Sequence, residues 1–301
     1  MSDLRIAPIT IDELGSIDTA LRTELQAMLG AEPSTEVSTL LGAYRDKRLV
    51  GAVYHRLQSG RVATVWVPRT IAPEPLQTAV SLLQASLEQI AQGEVDLVQS
   101  LLEINAVADF DTLQSVGFRH VADLLYLACP LEQDAKSEIS ELKFVPYHPE
   151  LHNRFARIVE ATYEGSLDCP EVDGIREMND VFAGYRATGI YSPDRWLIVT
   201  EQGIDVGCLI LTEYEGQGTW ELVYMGLLPA ARGKALGLSI VEHAKRLALT
   251  ARQTRVVLAV DANNEPALRM YAQAGFTAWT QRSVMIVATK NFSELETLEQ
   301  R

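Results

Sequence analysis

The chain has 301 residues, 47% of them apolar and 22% charged, a globular composition long enough for two compact domains. Its net charge of −14 speaks against a nucleic-acid partner, because phosphate neutralisation needs a surplus of Lys and Arg, and no apolar run is long enough to cross a bilayer. The acidity aids solubility and is compatible with a cationic acceptor.

The first residues, Met1-Ser2-Asp3-Leu4-Arg5-Ile6, lack the basic start, apolar stretch and cleavage site of a secretory signal, so a cytoplasmic location is expected. Residues 48–54 read as a strand after a hairpin, and 62–68 as an apolar strand ending at Pro68. From 74 to 92, Leu76, Val80, Leu83, Leu87 and Ile90 recur at three- and four-residue steps before Gly93, which predicts a helix. A strand over 95–98 follows, then a short helix that stops at Gly117 and restarts with Phe118. The polar stretch 131–141 predicts a boundary between two domains, 1–135 and 142–290, with 291–301 as a tail.

The second half repeats this order at a nearly constant offset: Gly207 answers Gly51, Pro229 answers Pro68, and Gly275 answers Gly117. Strands over 205–211 and 222–228 lead to a helix over 236–250, marked by Ile240, Val241, Ala244, Leu247 and Ala248, then to a strand over 256–260 and a short helix closed by Gly275-Phe276. Such agreement implies two copies of one α+β unit with a mixed sheet. The copies differ where the long helix begins. The first has Arg69-Thr70-Ile71-Ala72-Pro73-Glu74-Pro75, whose prolines lack N–H donors. The second has a small-residue turn, Pro229-Ala230-Ala231-Arg232-Gly233-Lys234-Ala235-Leu236-Gly237. Small residues let successive amides converge on one centre, and the first turn of the helix adds unpaired donors and the positive end of its dipole, an anion-binding geometry. The nucleotide loop ending in Gly-Lys-Ser/Thr and the three-glycine dinucleotide fingerprint do not fit this string. Cys129, Cys169 and Cys208 lie far apart with no metal spacing, so neither a disulfide framework nor a metal site is expected.

The turn resembles the acyl-CoA loop of the GCN5-related N-acetyltransferase (GNAT) family: Arg or Gln, two residues, Gly, one residue, then Gly or Ala. Those places fall on Arg232, Ala235 and Gly237. Ala235 stands where Gly is usual, and as a residue of the first helical turn it needs no positive φ. The segment 261–276, with Asn264, Tyr271 and Gly275-Phe276, is similar to the family's second motif. The resemblance implies two tandem GNAT-like acyl-CoA N-acyltransferase domains, each a mixed, mostly antiparallel sheet flanked by helices, in a layout similar to that of mycothiol synthase. It implies acetyl-CoA or another acyl-CoA as co-substrate, with no metal. The cofactor contacts it implies are the backbone of Met225 and Leu227, on a strand that splays from its neighbour, the turn residues Arg232, Gly233, Lys234, Ala235, Leu236 and Gly237, and Asn264. Gly226 would ease a bulge in that strand.

The resemblance makes Tyr271 the candidate general acid and Glu221 the candidate general base. Read from the residues alone, Asn264 is a helix cap, Pro266 suits a first turn, and Tyr271 is equally a half-buried core aromatic. Glu221 sits in an otherwise apolar strand, either at a solvent-exposed start or facing a cleft, and period-two alternation puts Glu221, Val223, Met225 and Leu227 on one face. The acidic segment 163–174 either hydrates freely or forms a wall for a cationic amine. The expected acceptor is a small-molecule or peptide amine; the layout makes an amino-sugar or cysteinyl conjugate conceivable. Leu113 occupies the place of Tyr271 in the first copy, which is expected to have lost the cofactor. A non-catalytic acyl-CoA sensor and an interaction scaffold are the rival readings.

Overall fold

A computed structural model describes residues 3–9, 23, 38–131 and 141–291. Packing divides the chain into two units, residues 1–121 with 283–301, and residues 122–282. The division at 135 and 142 and the tail from 291 are therefore not where the compact units end. Most of the expected linker and all but the first residue of the tail lie outside the described residues.

In unit 1 the strands are β1 (Arg5–Pro8), β2 (Ser38–Arg45), β3 (Arg48–Gln58), β4 (Val62–Val65), β5 (Arg69–Thr70) and β6 (Leu97–Leu102), with helices α1 (Leu76–Ala91) and α2 (Val107–Gln114). Strand order is β1-β2-β3-β4-β6, antiparallel except for the parallel pair β4–β6, and β5 folds back onto β3. Helix α1 buries Leu83, Leu87 and Ile90 of the expected stripe, with Leu82, against the sheet, whereas Leu76 at its first position is 63% exposed. Each such side chain contributes about 1.5–3 kcal/mol relative to exposure.

Unit 2 contains β7 (Arg119–Pro130, from Ala122 on), β8 (Leu142–Pro146), α3 (His152–Tyr163), α4 (Met178–Ala187), β9 (Trp196–Glu201), β10 (Ile204–Tyr214), β11 (Thr219–Leu227), α5 (Leu236–Thr250), β12 (Arg255–Asp261) and α6 (Glu265–Gln273). Its strand order is β7-β12-β11-β10-β9-β8, with β11–β12 the parallel pair. Helix α5 spans the residues its periodicity predicts and buries Ile240, Val241, Ala244 and Ala248 on one face of the sheet. Phe155, Ile158, Val159 and Phe182 from α3 and α4 pack with Trp196, Ile198, Cys208 and Ile210 on the other.

The closing strands are exchanged. β7, which follows Gly117-Phe118, pairs antiparallel with β12 of unit 2 from Arg255↔Pro130 to Asp261↔Leu124. Strand β13 (Thr277–Ala288), which follows Gly275-Phe276, gives its Ser283–Ala288 part to β6 of unit 1. Alternation in a strand tells which face is buried and says nothing of its neighbour, so the exchange leaves no mark in either half's pattern.

Candidate active site

Strand β11 is held on one side along its whole length and on the other only at its start. With β10 it pairs from Tyr214↔Thr219 to Gly207↔Leu227. With β12 it pairs only at Thr219, Trp220 and Glu221, after which β12 continues alongside β7. The two parallel strands thus diverge after Glu221. The edge of β11 from Leu222 to Leu227, including Met225 and Leu227, has no strand partner on the β12 side among the described residues. An edge of main-chain donors and acceptors facing such a gap suits an extended amide-bearing arm.

A β-bulge falls at Val223, where the register steps from Leu211↔Leu222 to Ile210↔Tyr224. It corrects the face assignment made by simple alternation. Leu222, Met225 and Leu227 pack with the α5–α6 core, whereas Tyr224 and Gly226 point to α3. Glu221 shares that second face. Gly226 serves a close approach, not the bulge: a Cβ there would lie 2.5 Å from Thr162 Oγ1.

After Leu227 the chain makes a short 3-10 turn (Pro229–Ala231) and enters α5 through Gly233, φ +76°, and Ala235, φ +57°. Ala235 is the N-cap of α5, one residue before the helical turn in which it was expected, and it adopts the left-handed conformation disfavoured for residues with a Cβ. Left-handed residues alternating with Lys234 and Leu236 form a concave nest of amides. The N–H groups of Gly233, Lys234, Ala235, Leu236 and Gly237 have no acceptor among the described residues. No atom lies within 4 Å of a Cβ placed on Gly233, and Gly233, Lys234 and Ala235 are exposed while Gly237 is buried. Lys234 is exposed and likewise without a partner among the described residues.

Arg232 is used differently from the expectation that it faces a diphosphate. Its Nε donates to Leu227 O at 3.2 Å, Nη1 to Gly165 O at 2.9 Å and Nη2 to Thr162 O at 2.9 Å. The guanidinium thus ties the end of β11 to the end of α3 and the following loop. Its five fixed donors explain how one side chain serves three carbonyls.

Asn264 caps α6, accepting from Ala267 N at 3.3 Å, and Pro266 follows in the first turn. Tyr271, 6% exposed, packs edge-on to Phe276 with ring centroids 5.6 Å apart. Its hydroxyl has no hydrogen-bond partner among the described residues. Burial, followed by the nearby Asp168 carboxylate, pushes its pKa above the ordinary phenol range, so the proton stays on. Glu221 accepts a short hydrogen bond from Tyr214 OH. Burial raises its pKa above the usual carboxylate value, the Tyr214 bond opposing. Tyr271 and Glu221 lie on opposite faces of the sheet, with the divergence of β11 and β12 between them.

The acidic segment 163–174 is anchored to the end of β12. Asp261 N donates to Asp168 Oδ1 at 2.9 Å, and Cys169 N donates to Asp261 Oδ2 at 3.2 Å. Burial, reinforced by Asp168 and Asp261, pushes the Cys169 thiol up to about 12. A tyrosine cluster escaped the sequence reading because its members are distant and without motif. Tyr163 and Tyr185 join hydroxyls at 3.1 Å, Tyr185 stacks on Tyr224, and Tyr224 OH meets Thr162 Oγ1 at 2.7 Å. Among the described residues no cluster of His, Cys, Asp and Glu could hold a metal, and no helix is long and apolar enough to cross a membrane.

Residues 159–276 match the model of the acetyltransferase (GNAT) family. This segment is a GNAT domain. The GNAT fold extends over the chain: a GCN5-related N-acetyltransferase from Sphaerobacter thermophilus aligns over 95% of this chain and 96% of its own, with TM-score 0.61 at 15% identity. The glucosamine N-acetyltransferase region of a fungal multi-domain GH3 β-N-acetylglucosaminidase aligns with TM-score 0.63 at 14% identity, over 95% of this chain and 38% of that longer one. A conserved protein of unknown function from Staphylococcus epidermidis aligns with TM-score 0.52 at 13% identity, over 74% of this chain and 83% of its own. No curated protein matches the sequence. GNAT acetyltransferases act with acetyl-CoA on amine acceptors in general, and the splay and nest described above lie within the matched segment.

Proposed function

We propose that unit 2 transfers an acetyl or related acyl group from acyl-CoA to a primary amine, small-molecule or peptide, by direct attack. The observation that carries this reading is the run of unpartnered amides from Gly233 to Gly237 at the head of α5, next to a strand edge freed by the divergence of β11 from β12. The nest and helix terminus would hold a diphosphate, with Lys234 adding a solvated positive charge. The edge at Met225 and Leu227 and the amide of Asn264 would hold the pantetheine arm. Arg232 acts by positioning the walls.

The bound acyl-CoA would supply an activated thioester. Glu221, ionised above its raised pKa, accepts the amine proton on one face of the sheet. Tyr271, neutral at its hydroxyl, holds the proton needed for a departing sulfur on the other. Unit 1 is proposed to bind no cofactor.

The test is thiol release with acetyl-CoA and a panel of primary amines. Tyr271→Phe is expected to slow turnover by roughly one to three orders of magnitude with CoA affinity nearly intact. Equal turnover in that variant removes Tyr271 from the mechanism, and CoA binding without thiol release on any amine favours a sensor.

A further inference from the structure

Within unit 2 the face of the sheet that carries Glu221 is covered by α3 and α4 only over β9, β10 and the end of β11. Beyond Glu221, among the described residues, neither helix joins the packing of that face, and Ala259 on it is exposed. Glu221 lies across from Val257, Val257 across from Ala128, and Ala259 across from Tyr126. Leu125 and Leu127 pack into the α5–α6 core, so Tyr126 between them stands on the Glu221 face. Ala259 is exposed and small, leaving a low floor between Glu221 and Tyr126. Trp279, 65% exposed, closes the far side, its ring edge-on to Tyr126 at 5.9 Å. Tyr126 and Glu221 are near enough for the carboxylate to raise the phenol's pKa, although burial is the larger cause and Arg282 opposes it.

Isolated exposed apolar residues need no explanation. This tryptophan differs in being braced by a second ring that stands beside a half-buried carboxylate, with an open floor between. A flat apolar ring laid on that floor would meet Trp279 and Tyr126 while its amine reached Glu221; the opposite charges of ammonium and carboxylate fix the orientation.

We infer that Trp279 and Tyr126 form the specificity wall of the acceptor site and that the acceptor is a primary amine on a short arm attached to a flat aromatic or apolar ring. This rests on the acyltransferase reading of Glu221. It also gives the N-terminal sequence a part in the site, because Tyr126 arrives on the exchanged strand β7.

The experiment compares 2-phenylethylamine with propylamine as acceptors in the intact chain, alongside quenching of tryptophan emission by acrylamide. Trp196 and Trp220 are buried, so quenching is dominated by Trp279 and the half-buried Trp66. The native chain is expected to favour 2-phenylethylamine in kcat/KM by at least tenfold. Trp279→Ala should erase most of that ratio through KM, and Trp279→Phe should keep it within about threefold, with CoA affinity unchanged in both. A ratio near one in the native chain, or one unmoved by Trp279→Ala, overturns the inference. If neither amine is acetylated, the wider amine panel decides the transfer reading, and the quenching experiment still decides the wall: protection by 2-phenylethylamine that disappears in Trp279→Ala supports it, and no protection overturns it.

Discussion

The same fold element, a strand running into the long helix, is built in two opposite ways in this chain. In unit 2 the entry to α5 leaves five consecutive amides without an acceptor among the described residues, with Gly233 and Ala235 in left-handed conformations. In unit 1 the entry to α1 passes through Pro73 and Pro75, which carry no N–H, and the helix has no side-chain cap; Glu74 Oε2 accepts instead from the side chains of Thr78, Oγ1 at 2.9 Å, and Arg45, Nε at 3.1 Å. One copy leaves backbone donors at the head of its long helix, and the other replaces two of the residues before its helix with proline. A shared fold therefore does not bring the same backbone donors to the same turn.

The largest effect should come from separating the halves. A chain of residues 142–290 lacks β7, which supplies every described pairing of β12 on that side and buries Leu127 and Cys129 in the α5–α6 core. We expect it to be insoluble or to melt without a cooperative transition, measured by circular dichroism. A chain starting at 122 should fare better. A well-folded 142–290 would show that the exchange is dispensable and the halves are independent.

Next in size is a pH effect to which His55 of unit 1 contributes. His55, 3% exposed, bonds Ser86 through Nδ1 at 2.8 Å, and burial lowers its pKa from 6.5 to about 4. The folded chain thus binds fewer protons than the unfolded one between these values, so stability is intact above pH 6.5 and falls as pH drops toward 4. The loss is on the order of 3 kcal/mol. Urea unfolding of His55→Gln should show this slope reduced, the remainder coming from His243 in unit 2, whose pKa burial, followed by Arg246, likewise lowers to about 4; an identical slope in both chains assigns it elsewhere.

The smallest effect probes the open turn itself. Ala235→Gly removes the left-handed strain of about 1 kcal/mol, partly offset by the freer unfolded chain. We expect a melting temperature equal to or slightly above that of the native chain, with CoA affinity maintained. A clear loss of stability would mean that the Ala235 methyl packs usefully.

These features differ in how plainly the sequence announces them. Helix α5 and the repeat of element order were legible because periodicity and the paired Gly-Phe closures are local. The nest was legible as a small-residue string, yet the strain at Ala235 was not, since it depends on α5 starting at Leu236. The bulge at Val223 inverted the faces of Met225 and Leu227, and no residue at that point signals it. Arg232 matched the motif while its side chain serves carbonyls at Thr162 and Gly165, partners known only after folding. Tyr126 reached the Glu221 face through a strand exchange that alternation cannot encode.

The most direct test is isothermal titration of CoA into the intact chain and into Ala235→Pro, which removes one amide of the nest and forbids its positive φ. The account predicts one saturable site per chain in the native protein and at least a tenfold weaker one in the variant. Two sites, no binding, or undiminished binding to Ala235→Pro would contradict it.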